Sequence, residues 1–322
     1  MGIWNYTKKY QGIIKWTVST VLLFIIFQQL DFGRLLSVLK SFSFPWFVPY
    51  VIILVLNVFI ASFKWWKILS FENFQYKFFS VLKLFWIGMF YNQFLPGRIG
   101  GDAVKMFYLA QNEESRKAGA SGSVVIDRLY NLIGLLLIAF VGLFFCKVQV
   151  ELLILPVLLF GFFLIMLLLV IVGIEPVLEK TNLLRFPLFK KVNHIVKAFK
   201  PYLCSWKRNI FMVTWGILYQ FSSILGAYFL GRSLHIDLSL DYYIVFVPMV
   251  VIITMLPFTI GGLGIREGGY LVFFTRVGVG SETAIGFSLF GYFMLLLLSL
   301  PGYFFPWGDK GQKKGSLSKG KK

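Results

Sequence analysis

Residues 152–174 contain no charged side chain. A helix needs roughly 20 predominantly apolar residues to cross a hydrocarbon core, so this run is read as a membrane span. Five further stretches, 14–30, 46–63, 123–145, 210–230 and 284–305, read as full crossings on the same ground. Only 14% of the 322 residues are charged, against about a quarter in a typical soluble domain. Too little polar surface remains to coat a water-soluble globule.

Two more apolar stretches, 84–95 and 243–256, run straight into a proline and then a Gly-Gly pair. Proline removes a backbone donor and glycine loosens the helix, so both helices are expected to break there. The two breaks match. Leu95-Pro96-Gly97-Arg98-Ile99-Gly100-Gly101 aligns with Leu256-Pro257-Phe258-Thr259-Ile260-Gly261-Gly262, with five identical positions, and Lys105 aligns with Arg266. Each half of the chain reads as two spans, a broken stretch and one more span. Three crossings per half make the second half inverted relative to the first, a recurring plan of transporters. The expected fold is an all-α polytopic membrane protein, an inverted repeat of two halves. Each half has three full transmembrane helices plus one broken re-entrant helix element. Residues 1–305 form one domain with repeat halves at about 14–146 and 151–305, and 306–322 form a basic disordered cytoplasmic tail.

The net charge of +18 does not indicate nucleic acid, because the basic residues sit between apolar spans. If both broken stretches return to their own side, segments 1–15, 64–83, 97–121, 175–209 and 306–322 share one side and hold 25 of the 32 Lys and Arg residues. Cytoplasmic loops carry such an excess, which places both termini in the cytoplasm of a multi-pass cell-membrane protein. Treating either broken stretch alone as a full crossing would put the basic tail outside. Trp16, Trp46, Trp65, Trp66, Trp206 and Trp307 fall near span ends and read as interface anchors. The segment after the first apolar run, Phe27-Gln28-Gln29-Leu30-Asp31, offers no small-residue cleavage site, so it reads as a retained span.

Cys146 and Cys204 make no spaced cluster, and His194 and His235 lie singly in loops. No metal or cofactor is expected, and no enzymatic activity. The chemistry that stands out is cationic. After the first break, Gly100, Gly101 and Asp102 can restart a helix whose exposed N–H groups favour an anion. Arg98 and Lys105 flank that restart. The second break offers Gly261 and Gly262, then Arg266 beside Glu267. Arg suits a phosphate fork geometrically, and Lys supplies a point charge. Ser123, Asp127 and Asn131 share one face of a span, with Arg128 beside them. Asp127 is expected to pair with Arg98, Lys105 or Arg266. Gln220, Ser223 and Ala227 form a small polar stripe that reads as helix packing.

Three ordered segments carry a family resemblance. They are Asn92-Gln93-Phe94-Leu95-Pro96-Gly97-Arg98-Ile99-Gly100-Gly101-Asp102, Val125-Ile126-Asp127-Arg128-Leu129, and Leu256 through Gly268. Together they resemble the flippase-like transmembrane domain of lysylphosphatidylglycerol synthases, over roughly residues 10–305. In that family the domain moves an aminoacylated phospholipid between leaflets, and a separate soluble domain makes the lipid. No stretch here reads as the soluble domain, so the resemblance implies lipid translocation or binding rather than aminoacyl transfer. Some relatives are linked to polyprenyl-phosphate sugars and envelope assembly. The expected partner is a phosphate-containing membrane lipid, with a homo-oligomer or an envelope-biosynthesis protein beside it. The alternative is a membrane-embedded enzyme or accessory subunit of lipid-linked glycan or phospholipid modification.

Overall fold

The computed structural model describes residues 17, 20, 21, 28, 31–40, 42–94, 100–112, 117–145, 205–255 and 262–305. Among these residues there are helices and short connections, and no strand. The helices are α1 (Phe32–Lys40), α2 (Phe44–Phe71), α3 (Phe78–Phe94), α4 (Gly100–Asn112), α5 (Lys117–Phe145), α6 (Trp206–Ser233), α7 (Leu240–Met255), α8 (Ile265–Thr275) and α9 (Ser281–Ser299). A last turn, α10, covers Pro301–Phe304. Four segments among the described residues are long and apolar enough to cross a membrane: Phe44–Phe71, Gly119–Gly142, Trp206–Ser233 and Ser281–Phe304. They correspond to four of the six expected crossings. The expected span at 152–174 and the tail at 306–322 lie outside the described residues, and so does all but four residues of the span at 14–30.

The long helices start and stop for local reasons. Proline stands in the first turn of α2, where its missing N–H costs nothing and its fixed φ suits the helix. At the far end the chain turns out through Asn73 at φ 61°, and the Phe74 N–H donates back to the Leu69 carbonyl at 3.0 Å. Helix α6 ends the same way. His235 takes φ 59°, and the Ile236 N–H reaches the Gly231 carbonyl at 2.9 Å. A left-handed residue just past the last turn is a common helix stop, because it lets the chain's next N–H groups satisfy orphan carbonyls.

Packing sets the directions. Helices α2 and α6 cross antiparallel. Trp46 stacks near Phe229 with ring centroids 6.0 Å apart, Asn57 Nδ2 donates to Ser223 Oγ at 3.1 Å, and Phe63 meets Trp215 at 4.6 Å. Helix α5 runs parallel to α6. Ile126 clusters with Met212, Gly216 faces the Tyr130 carbonyl, and Gln220 Nε2 donates to the Asn131 carbonyl at 3.0 Å. Helix α9 runs with α2, as the Phe47–Phe290 contact at 5.7 Å and the Tyr50–Gly291 approach require. So α2 and α9 point one way and α5 and α6 the other.

The two broken stretches are antiparallel helix pairs. In the first, the Gly101 N–H donates to Asn92 Oδ1 at 2.8 Å, and one turn further out Gly88 lies against Lys105. In the second, Phe246 stacks on Phe273 at 5.3 Å, and Val250 lies against Gly269. Because α2 and α5 run in opposite directions, the α3–α4 pair leaves and returns on one side. The same reasoning returns the α7–α8 pair to the opposite side, between α6 and α9. The tips themselves, residues 95–99 and 256–261, with the prolines and Arg98 and Gly261, lie outside the described residues.

The structure corrects two sequence expectations. Segment 64–83 is not an inner loop, since α2 continues to Phe71 and carries Lys64 and Trp65 into the core. Trp65, 1% exposed, is a core residue rather than an interface anchor, whereas Trp206 is 68% exposed. The apolar period simply continues past the first cation, through Ala61, Trp65, Ile68 and Leu69. Close backbone approach through small residues is one of the main contributors to helix association in membranes. A Cβ at Gly216 would lie 2.4 Å from the Tyr130 carbonyl oxygen. Gly216→Ala is therefore expected to cost about 1–3 kcal/mol through overpacking, read as a lowered thermal midpoint of the detergent-purified protein.

Candidate functional site

Four carriers of charge or polarity meet where the first helix pair reaches the middle of α2. From α2 come Asn57 and Lys64, from α3 Asn92 and Gln93, from α4 Asp102 and Lys105, and from α5 Asp127, Arg128 and Asn131. Most of them line a cavity of about 320 Å³ together with Phe85, Tyr219, Ser223 and Leu295. Helical spacing explains the convergence. Asp127 and Asn131 are one turn apart on α5, and both reach the single ammonium of Lys64. Ser123, a further turn back, is buried and donates to the Ala120 carbonyl at 2.8 Å.

Lys64 has no exposed surface. Its Nζ lies 3.0 Å from Asp127 Oδ1 and 3.3 Å from the Asp127 carbonyl, and it donates to Asn131 Oδ1. Among the described residues the ion-pair partner of Asp127 is thus Lys64 rather than the Lys105 or Arg266 expected from sequence, while Arg98 lies outside the described residues. Asp102 sits in the first turn of α4. Its carboxylate turns to the two cations: Oδ2 accepts from Arg128 Nε and Nη2 at 2.8 Å each, and Oδ1 lies 3.7 Å from Lys105 Nζ. Asn92 serves the helix start instead, taking the Gly101 N–H. Gly101 has to be glycine there, because a Cβ would fall 1.8 Å from the Gly88 carbonyl oxygen. The Lys105 ammonium sits over Phe85 at 4.0 Å and Trp65 at 5.1 Å, a cation–π arrangement that holds it without full neutralisation.

Lys64, Lys105 and Arg128 gather around the carboxylates of Asp102 and Asp127. The Arg128 side chain, 43% exposed, is the open end of the group. Ionisable groups at this depth are costly unless they face a partner or a wet cavity.

The second helix pair is built differently. Arg266 is only 8% exposed, and it carries its own counter-ion. Its Nη2 bonds to Glu267 Oε1, its Nε donates to Ser288 Oγ at 3.1 Å, and its guanidinium lies 4.4 Å over the Tyr292 ring. Glu267 also accepts the Gly264 N–H at 2.6 Å, which closes the start of α8. Gly262 at φ 80° and Gly264 at φ 83° supply the left-handed backbone that leads into it, a conformation glycine adopts without penalty. A second cavity of about 190 Å³ opens beside this pair. It shares Leu54, Ser223 and Leu295 with the first.

The structure therefore brings Asp102, Lys105, Asp127 and Arg128 together with Gly100 and Gly101 nearby, and sets Arg266 at the adjoining cavity, with Glu267 as its ion-pair partner and Gly262 just before the start of α8. Lys64, Asn57, Asn92 and Tyr219 went unnoticed in the sequence. Ser223 and Ala227, read there as packing residues, line cavities. No grouping of His, Cys, Asp and Glu fit for a metal occurs among the described residues.

Long apolar helices around a buried, charged cavity define a polytopic membrane protein with a polar site inside the bilayer. The family described as the lysylphosphatidylglycerol synthase TM region matches residues 12–302, and the chain belongs to it. Over 124 residues the chain is 29% identical to a UPF0104 membrane protein of Methanocaldococcus jannaschii, a stretch covering 36% of this chain and 37% of that protein.

The Lys64–Asp127 pair yields a test. Removing one partner of a buried ion pair strands the other charge and costs about 3–5 kcal/mol. Lys64→Met alone should sharply lower the thermal midpoint. Lys64→Met combined with Asp127→Leu should recover most of that loss, measured on the same detergent-purified protein.

Proposed function

We propose that the chain translocates a lipid with an anionic headgroup between leaflets, without itself making or breaking a covalent bond. The observation that carries this reading is a cavity between apolar helices that is lined by both Lys105 and Arg128 together with Asn57, Asn92 and Asn131. A phosphate there would meet Arg128 as a planar fork and Lys105 as a point charge. Asn57, Asn92, Asn131 and Ser223 would satisfy its remaining oxygens and any hydroxyls beyond it. A membrane is the natural source of such a ligand, and the family to which the chain belongs is named for a phospholipid synthase.

The directions of the helices support an inverted repeat. The separation of Asn73 from His235 is within one residue of that of Leu95 from Leu256, and both members of the first pair end a span through the same left-handed exit. Under this reading α2 corresponds to α6, and the two cross antiparallel as inversion demands. The α3–α4 pair then enters from the cytoplasm and the α7–α8 pair from outside, each a re-entrant element lining a wet cavity. Irregular backbone at membrane depth is tolerated only in that setting. Rocking of the halves about the shared wall would expose the site to each leaflet in turn. The basic excess on the side where α2 ends supports cytoplasmic termini, and it survives without the buried Lys64 and Lys105.

The test is leaflet exchange. Purified protein in liposomes should accelerate exchange of a labelled anionic phospholipid, followed by dithionite quenching of a headgroup-proximal label. Arg128→Gln and Lys105→Gln should each slow it about tenfold, since a hydrogen bond to a charged group contributes roughly 1.5–3 kcal/mol. Lys207→Gln, at the start of α6 and away from the cavity, should leave it unchanged. Equal rates in all four proteins, or no exchange of any anionic lipid, would remove the reading.

A further inference from the structure

The two halves are not equivalent as ligand sites. The separation that carries Lys105 onto Arg266 also carries Lys64 onto Leu225, Asp102 onto Leu263, Asp127 onto Ser288, Arg128 onto Leu289 and Asn131 onto Tyr292. Of the cations and carboxylates that build the first cavity, only Lys105 keeps a charged counterpart. That counterpart, Arg266, is held by Glu267, Ser288 and Tyr292. The second cavity is consequently close to neutral. Its walls come from aliphatic and aromatic side chains, chiefly Leu54, Val247, Val250, Tyr270, Phe287 and Leu295.

We infer that the second cavity takes the hydrocarbon chain of the same lipid whose anionic head lies in the first. This rests on the headgroup reading above and adds where the rest of the molecule goes. Three observations carry it. The cavities adjoin, with Leu54, Ser223 and Leu295 lining both. The second has no uncompensated charge to attract a headgroup or retain water, because Glu267 occupies Arg266. Finally, an apolar cavity stays dry and accepts apolar molecules, and inside a bilayer the apolar molecule at hand is a lipid chain. A lipid spanning both cavities would have its head among Lys105 and Arg128 and its chain against Tyr270 and Phe287. Ser223 and Leu54 would stand at the junction of head and chain.

The experiment uses the full-length protein in lipid nanodiscs with phosphatidic acid carrying a diazirine in one acyl chain. After irradiation, labelled residues are mapped by tandem mass spectrometry. Label is expected at Tyr270, Phe287 or Leu295, several-fold above Phe293 and Leu297. Those two residues face outward from the same helix, at 53% and 40% exposed. Ala227→Phe, which fills the second cavity, should abolish that label. The same variant should slow exchange of the dioleoyl lipid several-fold more than that of the dihexanoyl lipid. Label confined to Phe293 and Leu297, or cavity label unchanged by Ala227→Phe, would overturn the inference. The headgroup reading fails separately. If Lys105→Gln leaves exchange untouched while Tyr270 is still labelled, the second cavity is a chain site and the first is not a head site.

Discussion

An ion pair built on a fully buried ammonium governs this structure. Lys64 belongs to α2, and Asp127 and Asn131 belong to α5. The Asn131 carbonyl in turn accepts from Gln220 of α6. Three of the four apolar spans are thus tied at one depth by a fully buried ammonium. Between helices in lipid the hydrophobic effect supplies little net attraction, because tails are as apolar as leucine. Polar contacts and close packing must then set register. The Gly134–Gly216 crossing of α5 and α6 brings the backbones together. The Lys64 network fixes which turn meets which.

That arrangement leaves a wall beside which the first helix pair can dock. Gly88 and Gly101 allow α3 and α4 to touch, and Asn92 closes the start of α4. Asp102 then holds Arg128 and Lys105 on the cavity side. The sequence of dependence runs from glycine contact to helix register, from register to a carboxylate in the right place, and from that carboxylate to two cations at membrane depth. Asp102 thereby orders both cations at one edge of the first cavity.

Much of this was legible in the residues. Periodicity and charge gave four of the spans, and the paired Gly-Gly breaks located the two helix pairs. What escaped notice had physical causes. Lys64 follows an apolar run and was read as its end, although Trp65, Ile68 and Leu69 continue the helical period beyond it. Asp127 had several cations to choose from, and only packing selects Lys64. Arg266 and Lys105 looked alike as the cations closing two matched motifs. Their difference lies in residues far along the chain, Ser288 and Tyr292 against Asp127 and Asn131, which sequence adjacency does not show.

That difference has a consequence for how an inverted repeat can handle an amphipathic molecule. Two identical half-sites would suit a small polar solute that presents the same face to both sides. A lipid has a charged end and an apolar end, and a symmetric pair of cationic sites would leave one of them paired with hydrocarbon. Burying an unpaired cation against a chain is strongly unfavourable. Supplying Arg266 with Glu267 from the next residue removes that penalty while keeping the backbone break. Under the proposed lipid reading, fold symmetry and chemical asymmetry are then compatible: a repeat would give two helix pairs of one shape, and the side chains would give one of them to charge and the other to hydrocarbon.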